Sequence, residues 1–576
     1  MNATAAPQYG ANVFISEYVC ILLPGICSTD SLHAYHSSFT GESPVVREEL
    51  RLPRRLTGMQ NDTITNGGTL PTERQAGVCL HITSLPGHYG IGEIGDAAQA
   101  FIDQMVRMNL RVWQFLPTGP TAYGDSPYQP LSTFAYNELL LDFATLIRAG
   151  LITSNEADSL IRLPAHSVDY GALIPKKKAL LSRAAGRFHA QANAEIEAAF
   201  DRFLECNDAG WLHDYALFRI LKSRHGERPW IEWEPAFVQR EQKALRRIEA
   251  DAGQEIEDIK IIQFLFHRQW HRLREYATER GVLLFGDMPI CIAQDSSDAW
   301  AKREILHLDS HGRPTHVAGV PPDYFSEDGQ LWGNPIYDWD VHAKTGYHWW
   351  IERLRKSVEL NDIVRIDHFR GFEAYWSVPA EAKTARVGRW EPGPGDAIFD
   401  AIRSELGNLP IVAEDLGVIT PEVDALRDRH QIPGMKVLQF EVSYDHFDAA
   451  DIGDNCVCYT GTHDNDTTVG WFNGSPDDNR SSEDIRKTQK AVLDITNGSP
   501  GTIHNDLIRL AFSTKARLAI APLQDYLGLG SEARLNTPGT SSNNWRWRIR
   551  AEELTPALME SIGEMVEDSG RGRSGQ

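Results

Sequence analysis

The stretch DIVRIDHF, Asp362 to Phe369, decides the fold. It opens on apolar, β-branched residues and closes on an arginine, an aspartate and a histidine, the composition of a strand whose body is buried and whose carboxyl end opens on a site. Seven other short apolar runs flank it in the chain. They are GVCLHIT (Gly77 to Thr83), RVWQFLP (Arg111 to Pro117), GVLLFGDMP (Gly281 to Pro289), PIVAEDL (Pro410 to Leu416), MKVLQF (Met435 to Phe440), CVCYTGTHD (Cys456 to Asp464) and ARLAIAPLQD (Ala516 to Asp525). Most are followed by stretches of helical pattern, the rhythm of a parallel sheet covered by helices. Eight such runs predict an α/β fold, a closed (β/α)8 TIM barrel, with its sites at the carboxyl ends of the strands.

The spacing of the runs is uneven. Roughly 160 residues of mostly helical pattern, including Asp201 to Ser223 and Glu255 to Arg280, separate the second run from the third. That length exceeds one crossover helix and predicts a helical insertion over 130–275. A Gly/Pro/Asp/Trp-rich stretch, Ser310 to Asp340, predicts a loop within a lid insertion over 290–355, and Ser481 to Phe512 reads as polar helix. The catalytic barrel is expected over 74–548, followed by a C-terminal helix and disordered tail over 549–576. Residues 1–73 lack any sustained period and read as a disordered extension, with Met59 as an alternative start.

A chain of 576 residues is far too long to need disulfide or metal staples, and its 42% hydrophobic and 24% charged residues are those of a soluble globular protein. Its formal charge of −22 disfavours nucleic acid and anionic membrane surfaces as partners. The longest apolar run, Tyr18 to Cys27, contains Pro24 and Gly25 and is about half of the ~20 residues that a membrane span needs. The first basic residue is Arg47, which leaves no basic start for a secretory or transit signal and predicts a cytoplasmic protein. Seven cysteines without a C-x-x-C motif do not form a framework, and Cys456 and Cys458 read as packed thiols on one strand face.

Two motifs suggest chemistry that their context does not support. Gly90, Gly92 and Gly95 spell G-x-G-x-x-G before a helical stretch, Asp96 to Asn109. Ser84 to Tyr89, with Pro86, separates them from the strand, and the second strand ends Phe115, Leu116, Pro117 without the acid that a dinucleotide site requires; loop geometry is the better reading. His267 and His271 are four apart on one helical face, the spacing of a zinc pair. Arg268 stands where a zincin has its glutamate and no third ligand is suggested nearby, so an ordinary, partly buried helix face is expected and no metal is assigned.

The carboxylates at the strand ends remain. Residues two apart on a strand share a face, so Arg365 and Asp367 are expected to point into the barrel mouth, with Val364, Ile366 and His368 alternating to the other side. A guanidinium beside a carboxylate holds it ionised, as a nucleophile requires. The fifth run ends Ala413, Glu414, Asp415 and the seventh Thr462, His463, Asp464, Asn465, Asp466. An ionised acid with an arginine, a second acid one strand on and a His-Asp pair beyond it meet the demands of retaining glycoside chemistry. There, two carboxyls roughly 5–5.5 Å apart form and break a covalent glycosyl-enzyme. Asp367 would attack the anomeric carbon. Glu414, protonated at rest, would donate to the leaving oxygen, and Asp464, with His463, would hold sugar hydroxyls.

At these residues the chain resembles the 4-α-glucanotransferases (amylomaltases, or disproportionating enzymes) of glycoside hydrolase family 77 in the α-amylase clan. The resemblance runs from about Arg74 to Arg548 and rests on eight segments: HITSLPGHYGIGEIG (81–95), WQFLPTGPTAYGDSPYQP (113–130), GDMPICIAQDSSDAW (286–300), GVPPDYFSEDGQLWGNPIYDW (319–339), VRIDHFRGF (364–372), VAEDLG (412–417), GTHDNDTTVGW (461–471) and RLNTPG (534–539). It implies Asp367 as nucleophile, Glu414 as general acid/base and Asp464 as transition-state stabiliser, with sugar contacts by Arg365, His368 and His463. Tyr128, beside Ser126 in the GDSPY segment, falls where the family has an aromatic platform under the sugar at the cleavage point. Asp323, Gln330 and Trp332 fall on the family's lid loop over the acceptor side, and Asn536 on a loop lining the groove. Phe115, Thr118 and Cys291 depart from the family pattern and bear on subsite detail.

The resemblance further implies no metal or prosthetic group, with 1,4-α-glucans and malto-oligosaccharides as donors and glucose among the acceptors. The same acids would serve an α-glucan hydrolase, so the choice rests on whether water or a sugar hydroxyl resolves the intermediate. A lid over Pro321 to Pro335, carrying Tyr324, Phe325 and Trp332, would disfavour water and points to transfer. A noncatalytic glucan-binding barrel, the third reading, would have lost one or more of the acids, and all three are present.

Overall fold

The computed structural model describes residues 70–572, apart from 323–326, 443–446, 476–477, 479 and 541. Met59 and almost all of the expected 1–73 extension lie outside the described residues, as do Asp323, Tyr324 and Phe325. Twelve strands form among the described residues: β1 Gln75–Cys79, β2 Val112–Gln114, β3 Leu283–Met288, β4 His316–Val320, β5 Gln330–Pro335, β6 Ile363–Ile366, β7 Ala374–Pro379, β8 Arg389–Pro392, β9 Ile411–Ala413, β10 Gly434–Val437, β11 Cys456–Tyr459 and β12 Leu518–Pro522.

Eight of these are the eight apolar runs, and they pair in parallel in the order β10-β11-β12-β1-β2-β3-β6-β9. The two end strands meet where the Ala413 N–H donates to the Pro433 carbonyl at 2.8 Å, which brings the sheet nearly closed into a barrel. Alternation along each strand then sorts the side chains. Leu283, Phe285, Ile363, Val412, Met435, Val437, Val457, Tyr459, Leu518 and Ile520 form one buried cluster inside the tube. Ala76, Val78, Leu284, Val364 and Cys458 face the surrounding helices instead. Read upward along the inward positions, Phe285 is followed by Asp287, Ile363 by Arg365 and Val412 by Glu414. The apolar filling thus gives way to charge at one end, the end where the strands finish.

Between β2 and β3 the chain builds helices, among them Tyr170–Gln191, Ala194–Asn207, His213–Arg224 and Gly253–Glu279. Asp169 and Asn193 cap the first two by accepting the N–H groups of Ala172 and Ile196. Buried Lys177 ties this region to the barrel: it donates to Glu93, from the segment after β1, and to the Leu139 carbonyl at 2.8 Å. Gly92 and Gly95 serve the same packing. A Cβ on Gly92 would sit 1.9 Å from the Ile82 carbonyl oxygen, and one on Gly95 would strike Asp142.

The stretch expected to be a loop over 310–340 is partly sheet. β4 and β5 pair antiparallel, and with β7 and β8, which follow the end of β6, they make a second sheet in the order β5-β4-β7-β8. Its partners lie beyond β6 in sequence, so local composition gave no sign of the pairing. No helix of the described residues is long and apolar enough to cross a membrane.

Candidate active site

The inward residue at the end of β6 is Arg365, and everything near it is arranged around its charge. It is buried and pairs in register with Asp287 of β3. Its Nη1 donates to both Asp287 oxygens, at 2.9 and 2.7 Å, while Nη2 reaches Asp367 Oδ1 at 2.7 Å. The Tyr128 hydroxyl donates to Asp287 Oδ2 at 2.7 Å, so a chain of charge-assisted contacts runs from Tyr128 through Asp287 and Arg365 to Asp367. The Asp287 side chain is sealed (0% exposed), whereas that of Asp367 is 30% exposed and opens on the mouth.

Past Asp367 the strand geometry breaks. His368 has φ +52°, in the left-handed region that costs a non-glycine residue about 1 kcal/mol or more. This corrects the expected alternation, which would have turned His368 away from the mouth. The turn aims the His368 N–H at Glu414 Oε2 (2.7 Å) and sets the imidazole edge-on against Trp332, with ring centroids 4.7 Å apart. The Leu416 N–H holds the other oxygen, Glu414 Oε1, at 2.9 Å. Burial pushes the Glu414 carboxyl up to about 7; the neighbouring Asp367 charge adds to the rise, while Arg365 and the two backbone donors oppose it.

Asp464 has the opposite environment. Burial again works against its charge, but His463 and Asn536 outweigh it and hold the carboxyl well below the ordinary range. The Asn536 amide donates to Oδ1 at 2.6 Å, and His463 Nε2 lies 3.3 Å from Oδ2. Arg534 fixes the main chain by donating to the Asp464 carbonyl at 2.8 Å. The Asp464 side chain remains 45% exposed.

Aromatic rings line the groove beside these acids. Tyr128 stacks on His463, with centroids 5.2 Å apart and planes 12° from parallel, and Trp545 leans on both rings at 6.0 and 6.1 Å. The Ser126 hydroxyl accepts the Tyr128 N–H at 3.3 Å and shapes the turn beneath it. Gln129 and Asn334 exchange side-chain hydrogen bonds that tie this turn to β5. On β5, the Trp332 indole N–H donates to Gln330 at 3.2 Å. An apolar hollow between Ile290, Cys291, Tyr337 and Tyr375 opens beside Trp332 and His368.

The structure therefore brings together Tyr128, Arg365, Asp367, Glu414, His463, Asp464 and Asn536, with Trp332 and His368 at the rim. Asp287 and Trp545 were not among the expected site residues. Asp287 was accessible to the same argument that picked out Arg365, since it sits at the inward parity of GVLLFGDMP; Trp545 lies in irregular chain and carries no such signal. A sequence model of the 4-alpha-glucanotransferase family matches residues 80–555.

The chain belongs to the 4-alpha-glucanotransferase family. A curated 4-alpha-glucanotransferase of Thermus thermophilus is 46% identical over 503 residues, covering 86% of this chain and 99% of that protein. One from Synechocystis is 45% identical over 507 residues, covering 87% and 98%. Among solved structures, amylomaltase from Streptococcus agalactiae in complex with acarbose superposes with a TM-score of 0.82 at 36% identity, covering 87% of this chain and 100% of that one. The matched residues, 80–555, span every acid of the mouth.

Proposed function

We propose that this chain is a disproportionating 4-α-glucanotransferase that works by double displacement on 1,4-α-glucans, malto-oligosaccharides among them. In the first step an Asp367 oxygen attacks the anomeric carbon. The bond from that carbon to the glycosidic oxygen breaks as Glu414 passes its proton to that oxygen, and the departing chain leaves with a free 4-hydroxyl. In the second step the 4-hydroxyl of glucose or of another glucan gives its proton to Glu414 and displaces Asp367, so the anomeric configuration is retained. Arg365 orients Asp367 through its Nη2 contact. Asp464, ionised and steadied by Asn536 and His463, accepts hydrogen bonds from ring hydroxyls that strengthen as the ring flattens, and Tyr128 offers a flat face to the pyranose. Gln330, Trp332 and His368 border the acceptor side.

The observation that carries this reading is the contrast between two acids of one mouth: Glu414 raised to about 7 and Asp464 held well below the ordinary range. Titratable groups pushed apart in this way divide the roles of proton donor and charge stabiliser. The names of the relatives favour transfer over hydrolysis. The net charge of −22 supports a partner set without nucleic acid or membrane, and seven cysteines without a C-x-x-C motif support a cytoplasmic setting. Incubation with maltotriose is the test. Glucose plus a ladder of longer chains, at constant reducing ends, is the expected product; net growth of reducing ends would make the protein a hydrolase.

A further inference from the structure

His267 and His271 lie four apart on helix Gly253–Glu279, and their sequence neighbourhood offers no third ligand. The fold supplies one from elsewhere. Glu359, near the end of helix His348–Leu360, comes to the same place, and the ligand atoms of the three residues all lie within 4.8 Å of one another. The two helices are locked together there, since the Trp270 indole N–H donates to the Leu360 carbonyl at 3.0 Å. In a tetrahedral zinc site with bonds of about 2.0–2.1 Å, neighbouring ligand atoms are separated by roughly 3.4 Å. His271 Nε2 stands 3.6 Å from Glu359 Oε1.

Three further observations fit a cation rather than an ordinary helix contact. His271 Nε2 is buried and has no hydrogen-bond partner, because 3.6 Å is too long to count as one. His267 is half-buried, and its Nδ1 lies 3.1 Å from the buried Tyr136 hydroxyl. That oxygen can accept the Nδ1 proton, which leaves Nε2 bare, as second partners of metal-bound histidines do. Glu359 supplies the third donor from the other helix. Its side chain is 40% exposed and leaves a way in from solvent.

The charges around the cluster set the affinity. Lys356 Nζ lies 3.4 Å from both Glu359 oxygens and shares that carboxylate with any ion, and Arg268 stands next to His267 on the same helix. These cations weaken binding without occupying the histidine lone pairs. We propose that His267, His271 and Glu359 bind one transition-metal dication of the zinc type, with water completing the coordination. The site clips the helix that leads into β3 to the helix that leads into β6. Glu359 stands four residues before Ile363, so the clip sits near the amino ends of the strands, opposite the mouth. It acts on stability and takes no part in sugar chemistry.

The experiment uses the full chain after chelator treatment, with Zn2+ uptake followed by equilibrium dialysis and Co2+ as the spectroscopic probe. The expected result is one Zn2+ per chain with a Kd of about 1–10 µM, and a Tm raised by ~3 °C in 100 µM Zn2+. Co2+ should give the visible bands of a four-coordinate nitrogen and oxygen site. His271→Gln and Glu359→Gln should each weaken uptake at least about tenfold and abolish those bands. Uptake unchanged in both variants, or no uptake by the unaltered chain at 100 µM, overturns the site. Should either variant fail to fold, crystals of the unaltered chain soaked in Zn2+ decide: an anomalous peak between the three residues supports the proposal, and a peak elsewhere or none refutes it.

Discussion

The floor of the mouth and its rim are built by different means. On the floor, Asp287, Arg365, Asp367 and Glu414 continue the inward positions of β3, β6 and β9; Asp287, Arg365 and Glu414 are held by short contacts from a neighbouring strand or the turn after it, and Asp367 by Arg365 of its own strand. At the rim, Trp332 and Gln330 stand on a hairpin whose outer strand is largely exposed, and Trp332 touches the floor through the edge of one imidazole. A scaffold that fixes one half of a site and lightly holds the other suits a reaction whose donor sugar must be placed within fractions of an ångström while its acceptor varies in length. Disturbing the floor should therefore cost rate, and disturbing the rim should change what the intermediate reacts with.

The most severe test of the floor is Asp367→Asn. The amide keeps the shape and can still lie against Arg365, but it cannot form the glycosyl ester, and kcat should fall by about 10⁴-fold or more. Binding of malto-oligosaccharides, measured by calorimetry, should stay within a few-fold. Full activity in this variant would remove Asp367 from the reaction, and lost binding would show that the floor had collapsed.

Glu414→Gln comes next, with an expected loss of about 10²–10⁴-fold on maltotriose. Its signature lies in the leaving group. A donor such as α-maltosyl fluoride needs no proton to depart, so the variant's first step should recover most of its rate on it. The pH profile follows from the same group. Glu414 is raised to about 7, so its protonated, donating form is lost as pH rises through that value. The kcat/KM for maltotriose should fall on the alkaline side of about 7, and the fluoride donor should not show that limb. An identical alkaline limb with both donors would assign the titration to another group.

A smaller effect is expected at the edge of the floor. Asn536→Ala removes the 2.6 Å donor to Asp464, a hydrogen bond to a charge worth about 1.5–3 kcal/mol, or roughly 10–100-fold in kcat/KM. Without the amide the Asp464 carboxylate is less firmly placed, so the loss should fall on kcat as well as on KM. A loss confined to KM would make Asn536 a simple sugar contact.

The same division decided what could be read from the sequence. The eight barrel strands were legible because each buries both faces and reads as a short apolar run, and the parity of Ile363, Arg365 and Asp367 gave the direction of two key side chains. Parity failed at His368, where a left-handed turn replaces the strand, and such a turn at a histidine leaves no mark in composition. The hairpin of β4 and β5 was hidden because its sheet is completed by β7 and β8, on the far side of β6. Glu359 escaped notice beside His267 and His271 for a related reason: about ninety residues and three strands, β3, β4 and β5, separate them, and only the packing of two helices makes them neighbours.

Trp332→Ala should have the mildest effect on rate and the clearest effect on outcome. The indole packs against the edge of His368, whose N–H in turn holds Glu414, so a small loss in kcat, less than about tenfold, is expected through this contact. The larger consequence concerns water. In the proposed mechanism Trp332 borders the acceptor side, so its removal should open a path to the glycosyl-enzyme and take away a surface on which an acceptor ring can stack. The ratio of reducing ends formed to glucosyl units transferred from maltotriose should therefore rise several-fold, with the greatest change at low acceptor concentration. Should that ratio stay fixed while kcat falls, Trp332 belongs to the support of Glu414, and the rim has no separate task.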